Sequence, residues 1–204
     1  MTVVLLICVV PPTNSPFVMI AADSRATGQG GGVVPKRDKD IILDAGNAFM
    51  STSGSVYEDY REDLARYLRE RTKGTIVEKM EVLQVILGED KEDFKLQLDV
   101  GLVQFDSAGN PQMGLCTVDF EGKDTLVGPY TYDKSKPVIA NIYSGATRTE
   151  EVERLRGEFN DRLNAEEINI AKVESAAKWF IGKVAKIPSE TVDNIVQTKT
   201  MRFK

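Results

Sequence analysis

Hydrophobic and polar positions divide the chain into runs of two periods. Thr2 to Val10 is an unbroken apolar, β-branched run, and Phe17 to Ala22 is a second. Neither shows polar alternation, which predicts strands covered on both faces. Between them Pro11-Pro12-Thr13-Asn14-Ser15-Pro16 is dense in turn formers, so the two runs read as arms of a hairpin. Asp38 to Leu43 and Ala48 to Thr52 are shorter strand candidates, joined by the tight-turn composition Asp44-Ala45-Gly46-Asn47.

The period then changes. Val56, Tyr60, Leu64, Tyr67 and Leu68 recur at helical spacing among charges, which predicts an amphipathic helix over 55–72 with Ser55 available as its cap. Ile76, Met80, Leu83 and Leu87 place a second helix over 75–87. Strand patterns return at Lys95 to Phe105, Gln112 to Phe120 and Asp124 to Tyr130, a meander, and again at Pro137 to Tyr143. Helical spacing resumes from Arg148 to Leu163 and from Glu166 to Ile187, and Asn194 to Phe203 closes the chain as a strand. Runs of strands alternating with helix pairs predict an α+β fold, a four-layer αββα sandwich of two antiparallel sheets flanked by helices. With no repeat, low-complexity segment or linker, residues 1–204 read as a single domain.

Composition narrows the chemistry. A hydrophobic content of 42% and a charged content of 28% are those of a soluble globular protein. The net charge of -5 carries no electrostatic footprint for nucleic acid. Basic residues are interspersed with acids, as in Arg61, Glu62, Asp63 and Arg66, and read as a solvated helix face. The opening apolar run is too short to span a bilayer and no basic segment precedes it, so a cytoplasmic protein with no membrane partner is expected. Cys8 and Cys116 lie in apolar runs without Cys-x-x-Cys spacing and read as small buried hydrophobes. Gly28-Gln29-Gly30-Gly31-Gly32 has neither the dinucleotide fingerprint nor the Gly-Lys-Ser/Thr ending of a phosphate loop, and no cofactor or metal is expected.

Most decisive is the absence of histidine from the sequence. It excludes Ser-His-Asp and Cys-His mechanisms and histidine-ligated metal. A general base must then be a carboxylate, a lysine or the terminal amine.

Four sets of polar residues stand at the ends of these runs: Asp23-Ser24-Arg25-Ala26-Thr27, Lys39, Ser53-Gly54 before the first helix, and Ser144-Gly145 after a later strand. Each has a plain structural reading. Asp23 and Lys39 could form a surface ion pair, Ser144 could be a helix N-cap or turn residue, and Thr2 could be no more than the start of a strand. Together they resemble proteasome β subunits and their bacterial HslV-type relatives, which are N-terminal-nucleophile (Ntn) hydrolases of the threonine peptidase kind. The resemblance covers most of the chain in element order, and residues 2–55 in residue detail.

The resemblance implies that Thr2 is the catalytic threonine, Asp23 and Lys39 its charged partners, and Ser144 the serine near its amine. The backbone of Ser53 and Gly54 would supply oxyanion and substrate-binding donors. It also implies a peptide or protein substrate, a homo-oligomeric ring and an ATPase or other regulatory partner. A threonine hydroxyl is a weak nucleophile that needs an adjacent base. A terminal amine, with an ordinary pKa of about 7.7 to 8.0, is partly neutral near pH 7. Lys39 beside it would favour the neutral amine and a developing alkoxide. Thr2 gains that amine only when Met1 is removed, which a small second residue permits.

The chain departs from the family pattern in three places. Its first hairpin is longer, with two prolines in the turn; Ser53-Gly54 stands where the family has Gly-Gly; and the C-terminal acid and serine have no clear counterpart among Ser189, Glu190, Thr191 and Asp193. Two other functions share the resemblance. One is a protein ligase akin to connectase, in which an amine rather than water resolves the acyl group. The other is a non-catalytic structural subunit that retains Met1.

Overall fold

The computed structural model describes residues 3–23, 42–54, 58–72, 74–89, 97–118, 124–145, 149–163, 168–187 and 195–203. The first two apolar runs form strands β1 (Val4–Val10) and β2 (Phe17–Asp23), paired antiparallel from Val4 opposite Ala22 to Val9 opposite Phe17. Their lack of alternation has the expected cause. Val4, Leu6, Cys8, Val18, Ile20 and Ala22 join one apolar core, while Leu5, Ile7, Val9, Phe17, Met19 and Ala21 join another.

Strands β3 (Ile42–Asp44) and β4 (Ala48–Gly54) follow, joined by a turn in which Gly46 has φ +88° and its N–H donates to Asp44 Oδ1 at 2.8 Å. Helices α1 (Glu58–Arg71) and α2 (Ile76–Glu89) come next, then β5 (Leu98–Phe105), β6 (Pro111–Val118), β7 (Asp124–Thr131) and β8 (Val138–Ser144). Helices α3 (Glu150–Leu163) and α4 (Ile170–Val184) lead to the closing strand β9 (Val196–Arg202).

The strands form two antiparallel sheets, ordered β8-β1-β2-β9 and β3-β4-β5-β6-β7. The core they share combines Leu6, Ile20 and Cys8 with Val103, Phe105, Met113 and Leu115. Helices α3 and α4 cover the outer face of the first sheet through Val152, Phe159, Val173, Ala177 and Phe180. Helices α1 and α2 cover the second sheet through Leu64, Leu68, Met80 and Leu83. The architecture is therefore the four-layer αββα sandwich.

Glycines mark where layers approach most closely. A Cβ on Gly101 of β5 would lie 2.8 Å from the Leu6 side chain of the other sheet, and one on Gly114 of β6 would lie 2.1 Å from Met80 Sδ of α2.

Some sequence readings need correction. Helix α4 begins at Ile170 rather than Glu166, because extended Asn169 (φ -147°, ψ 171°) accepts from the Lys172 N–H and starts it there. Ser144 does not cap a helix. It ends β8, and Thr149 serves α3 instead by accepting from the Val152 N–H at 3.2 Å. The Ser55 cap and the glycine-rich stretch 28–32 lie outside the described residues.

Candidate active site

Asp23 is the last residue of β2 and is completely buried. Its backbone N–H donates to the Val3 carbonyl at 3.2 Å, and its Oδ1 accepts from the Val3 N–H at 2.5 Å. The side chain thus takes over the ladder at its end. The Val3 amide is the one that joins Val3 to Thr2, so this carboxylate is one peptide unit from Thr2. The surface ion-pair reading fails for Asp23 because burial removes it from solvent. Thr2 and Lys39 lie outside the described residues.

Ser144 approaches from the other neighbour of β1, where the register places it opposite Val4. It shares the inter-sheet face with Ala140 and Ile142. Across that interface it meets Ser53 of β4, with the two Oγ atoms 2.8 Å apart. Ser53 and Gly54, which lie past the strand expected to end at Thr52, are strand residues opposite Asp99 and Leu98 of β5. In an antiparallel strand neighbouring residues direct their N–H groups to opposite edges. One of these two amides therefore faces β5 and the other faces away from it.

Gly54 is demanded by its backbone. Its φ is +107°, and a Cβ there would lie 2.0 Å from the Gln97 carbonyl oxygen.

Asp99 was missed in the sequence. Its carboxylate accepts from Ser144 Oγ, from Ser53 Oγ at 3.1 Å and from Gln97 Nε2 at 2.9 Å. The available signal was an acid within the apolar run Leu98 to Val103. A polar side chain there is expensive unless donors meet it. Ser53, Asp99 and Ser144 are thus joined by hydrogen bonds, whereas Asp23, bonded to Val3, lies on the strand at the other side of β1; all four are buried. Cys8 lies deeper on the same inter-sheet face, and burial pushes its thiol pKa well up, so it offers no thiolate nucleophile. Among the described residues no group of acids and cysteines is arranged to hold a metal ion.

With this geometry in hand, the chain can be set beside known proteins. No family profile matches it, and no curated protein does. Solved structures do match. Thiobacillus denitrificans BPH is similar at 17% identity with a TM-score of 0.57, covering 100% of this chain and 99% of that one. The fold is shared with BPH. A structure of Thiobacillus denitrificans BPH in complex with Epoxomicin is similar at 16% identity and a TM-score of 0.59, each chain covered over 100% of its length. At such identity the likeness carries the architecture, and the chemistry rests on the residues above.

Proposed function

We propose that the protein is a threonine-type Ntn hydrolase, similar to proteasome β subunits, that cleaves peptide or amide bonds through an acyl-enzyme on Thr2 after Met1 is removed. One observation carries the reading. The buried Asp23 carboxylate is anchored on the Val3 N–H, next to the candidate nucleophile, where a solvated surface acid would have no reason to be. The epoxomicin complex of BPH supports it, since that protein shares the fold and binds an inhibitor of proteasomes.

The chemistry follows from the residues. Thr2 Oγ1 attacks the substrate carbonyl carbon while its proton passes to the neutral terminal amine. The oxyanion of the tetrahedral intermediate is met by a backbone donor near Ser53 and Gly54; loss of such a donor typically costs about 3 kcal/mol of barrier. Collapse breaks the C–N bond, the ammonium returns its proton to the leaving amine, and an ester remains on Thr2. Water, deprotonated by the same amine, hydrolyses the ester. Lys39, with Asp23 as its counter-ion, favours the neutral amine. The resemblance extends the proposal to one domain that works in the cytoplasm as a homo-oligomeric ring, with an ATPase or other regulator delivering protein substrates.

The test is intact-mass analysis of a Met1-free preparation treated with epoxomicin. An adduct that is lost in Thr2→Ala supports the proposal, and an unmodified Met1-free protein overturns it. Adding an acyl-donor peptide and an amine-bearing peptide separates hydrolysis from ligation.

A further inference from the structure

A strand at the edge of a sheet offers unpaired backbone N–H and C=O groups to any second chain, and proteins blunt such edges with brevity, charge, proline or a bulge. The two sheets end in four edge strands, β8, β9, β3 and β7, and three of them are blunted. Strand β3 is only three residues long. Strand β9 carries Lys199 and Arg202, and Lys199 Nζ crosses to donate to the Ile42 carbonyl at 2.7 Å. Strand β7 contains Pro129, and its register against β6 shifts between Met113 and Leu115. Strand β8 has none of these devices. It runs seven residues, Val-Ile-Ala-Asn-Ile-Tyr-Ser, without a charge, proline or glycine. Among the described residues only β1 pairs with it.

We propose that β8 is an interface on which a second copy of this chain seats its own β8, antiparallel about a two-fold axis at Asn141, so that two four-stranded sheets join into one. Self-complementarity chooses the occupant. Asn141 then faces the partner's Asn141, Ala140 the partner's Ile142, Ile139 the partner's Tyr143 and Val138 the partner's Ser144. Ile139 and Tyr143 both lie on the face covered by α3 and α4, and Ala140 and Ile142 both lie on the inter-sheet face, so apolar meets apolar on each side. A branched aliphatic opposite an aromatic ring is a favourable cross-strand pair, and no like charges come opposite one another. Between β8 and α3 runs a groove of about 410 Å³ lined by Ile139, Ala140, Asn141, Asn160 and Leu163, none of them charged. Asn141 Nδ2 donates to Asn160 Oδ1 at 2.9 Å, and the amide keeps a second N–H and its oxygen for a reciprocal pair across the axis. Such an isologous contact does not rest on the reading of Thr2, and it adds a two-fold axis that a single ring does not have.

Sedimentation velocity of the full chain over a range of concentrations reads the assembly. Wild type is expected to dimerise. Asn141→Lys sets two ammonium groups opposite each other on the axis and is expected to raise the dissociation constant roughly tenfold or more, with the circular dichroism spectrum unchanged. Asn141→Cys tests the register. Residues opposite one another on antiparallel strands have Cβ atoms about 4.5–5.5 Å apart, so mild oxidation is expected to give a disulfide-linked dimer. Thr125→Cys, exposed on β7, is expected to stay monomeric on the same treatment, and Cys8 and Cys116 are buried and do not compete. Wild type that stays monomeric, an oligomer indifferent to Asn141→Lys, or equal cross-linking of Thr125→Cys each overturns the proposal. A monomer whose β8 amides are protected by an added extended peptide gives the edge a different occupant and also overturns it. Should Asn141→Lys not fold, hydrogen exchange of wild type decides. The β8 amides that face away from β1 are alternate residues. Protection of these that rises with protein concentration supports the pairing, and protection independent of concentration overturns it.

Discussion

Gly54 carries Ser53 into the site at φ +107°, where a methyl group would be driven to 2.0 Å from the Gln97 carbonyl. The obstacle is backbone and does not yield as a side chain would. Gly54→Ala is expected to destabilise the fold by about 2 kcal/mol or more, read as a lower midpoint in urea unfolding. Asp23→Ala removes the acceptor of the buried Val3 N–H, at a cost of about 1–3 kcal/mol. On the proposed mechanism it also abolishes the epoxomicin adduct, so thermal unfolding and intact mass should change together. At this scale the sequence was half legible. Asp23, Ser53 and Ser144 end or interrupt apolar runs and so draw the eye, whereas Asp99 lies inside one. Besides nearby Gln97, its partners come from β4 and β8, and only the pairing across two sheets reveals how that buried acid is satisfied.

Among elements, the helices and turns have definable supports. Asn169→Ala removes the cap that starts α4, which is expected to cost about 1 kcal/mol. By contrast the exposed pair of Arg154 and Glu158 on α3 should change stability by no more than about 0.5 kcal/mol when either is made alanine. Asp106 closes the β5–β6 turn. Partial burial raises its pKa, but the Asn110 side chain and the N–H groups of Asn110, Ala108 and Gly109 outweigh this and hold it below the ordinary carboxylate value. A folded-state pKa below the unfolded one means stability that is present above about pH 4 and lost as pH falls through the folded value. The stability difference between wild type and Asp106→Asn is therefore expected to shrink on acidification from pH 6 toward pH 3, followed by chemical denaturation at each pH. Element order was readable because each run is either a short apolar or alternating stretch bounded by turn residues or a longer one with the helical period. Boundaries were less so. Where α4 starts depends on whether Asn169 captures an amide, which periodicity does not encode.

For the whole molecule, the two sheets meet through Leu6, Ile20, Val103 and their neighbours, with Gly101 leaving room for Leu6. Leu6→Ala is expected to cost about 2–5 kcal/mol, visible as a large drop in midpoint temperature, because the facing glycine has no side chain to fill the space. The layered architecture was legible from the alternation of strand runs with helix pairs. Which strands share a sheet was not, since β8 and β9 return to the first hairpin only after the whole second sheet has been laid down.

That return sets a timetable. Strands β3 to β7 with α1 and α2 are one contiguous stretch, able to fold as its own residues emerge, whereas β1 waits for β8 and β2 waits for β9 at the far end of the chain. Closing such long loops comes late. Pulse-labelled hydrogen exchange during refolding is expected to protect amides of β4, β5 and β6 before those of β1 and β9. A chain that has not yet added β8 would then hold Ser53 and Asp99 without Ser144, leaving the Asp99 carboxylate short of one donor until that strand arrives.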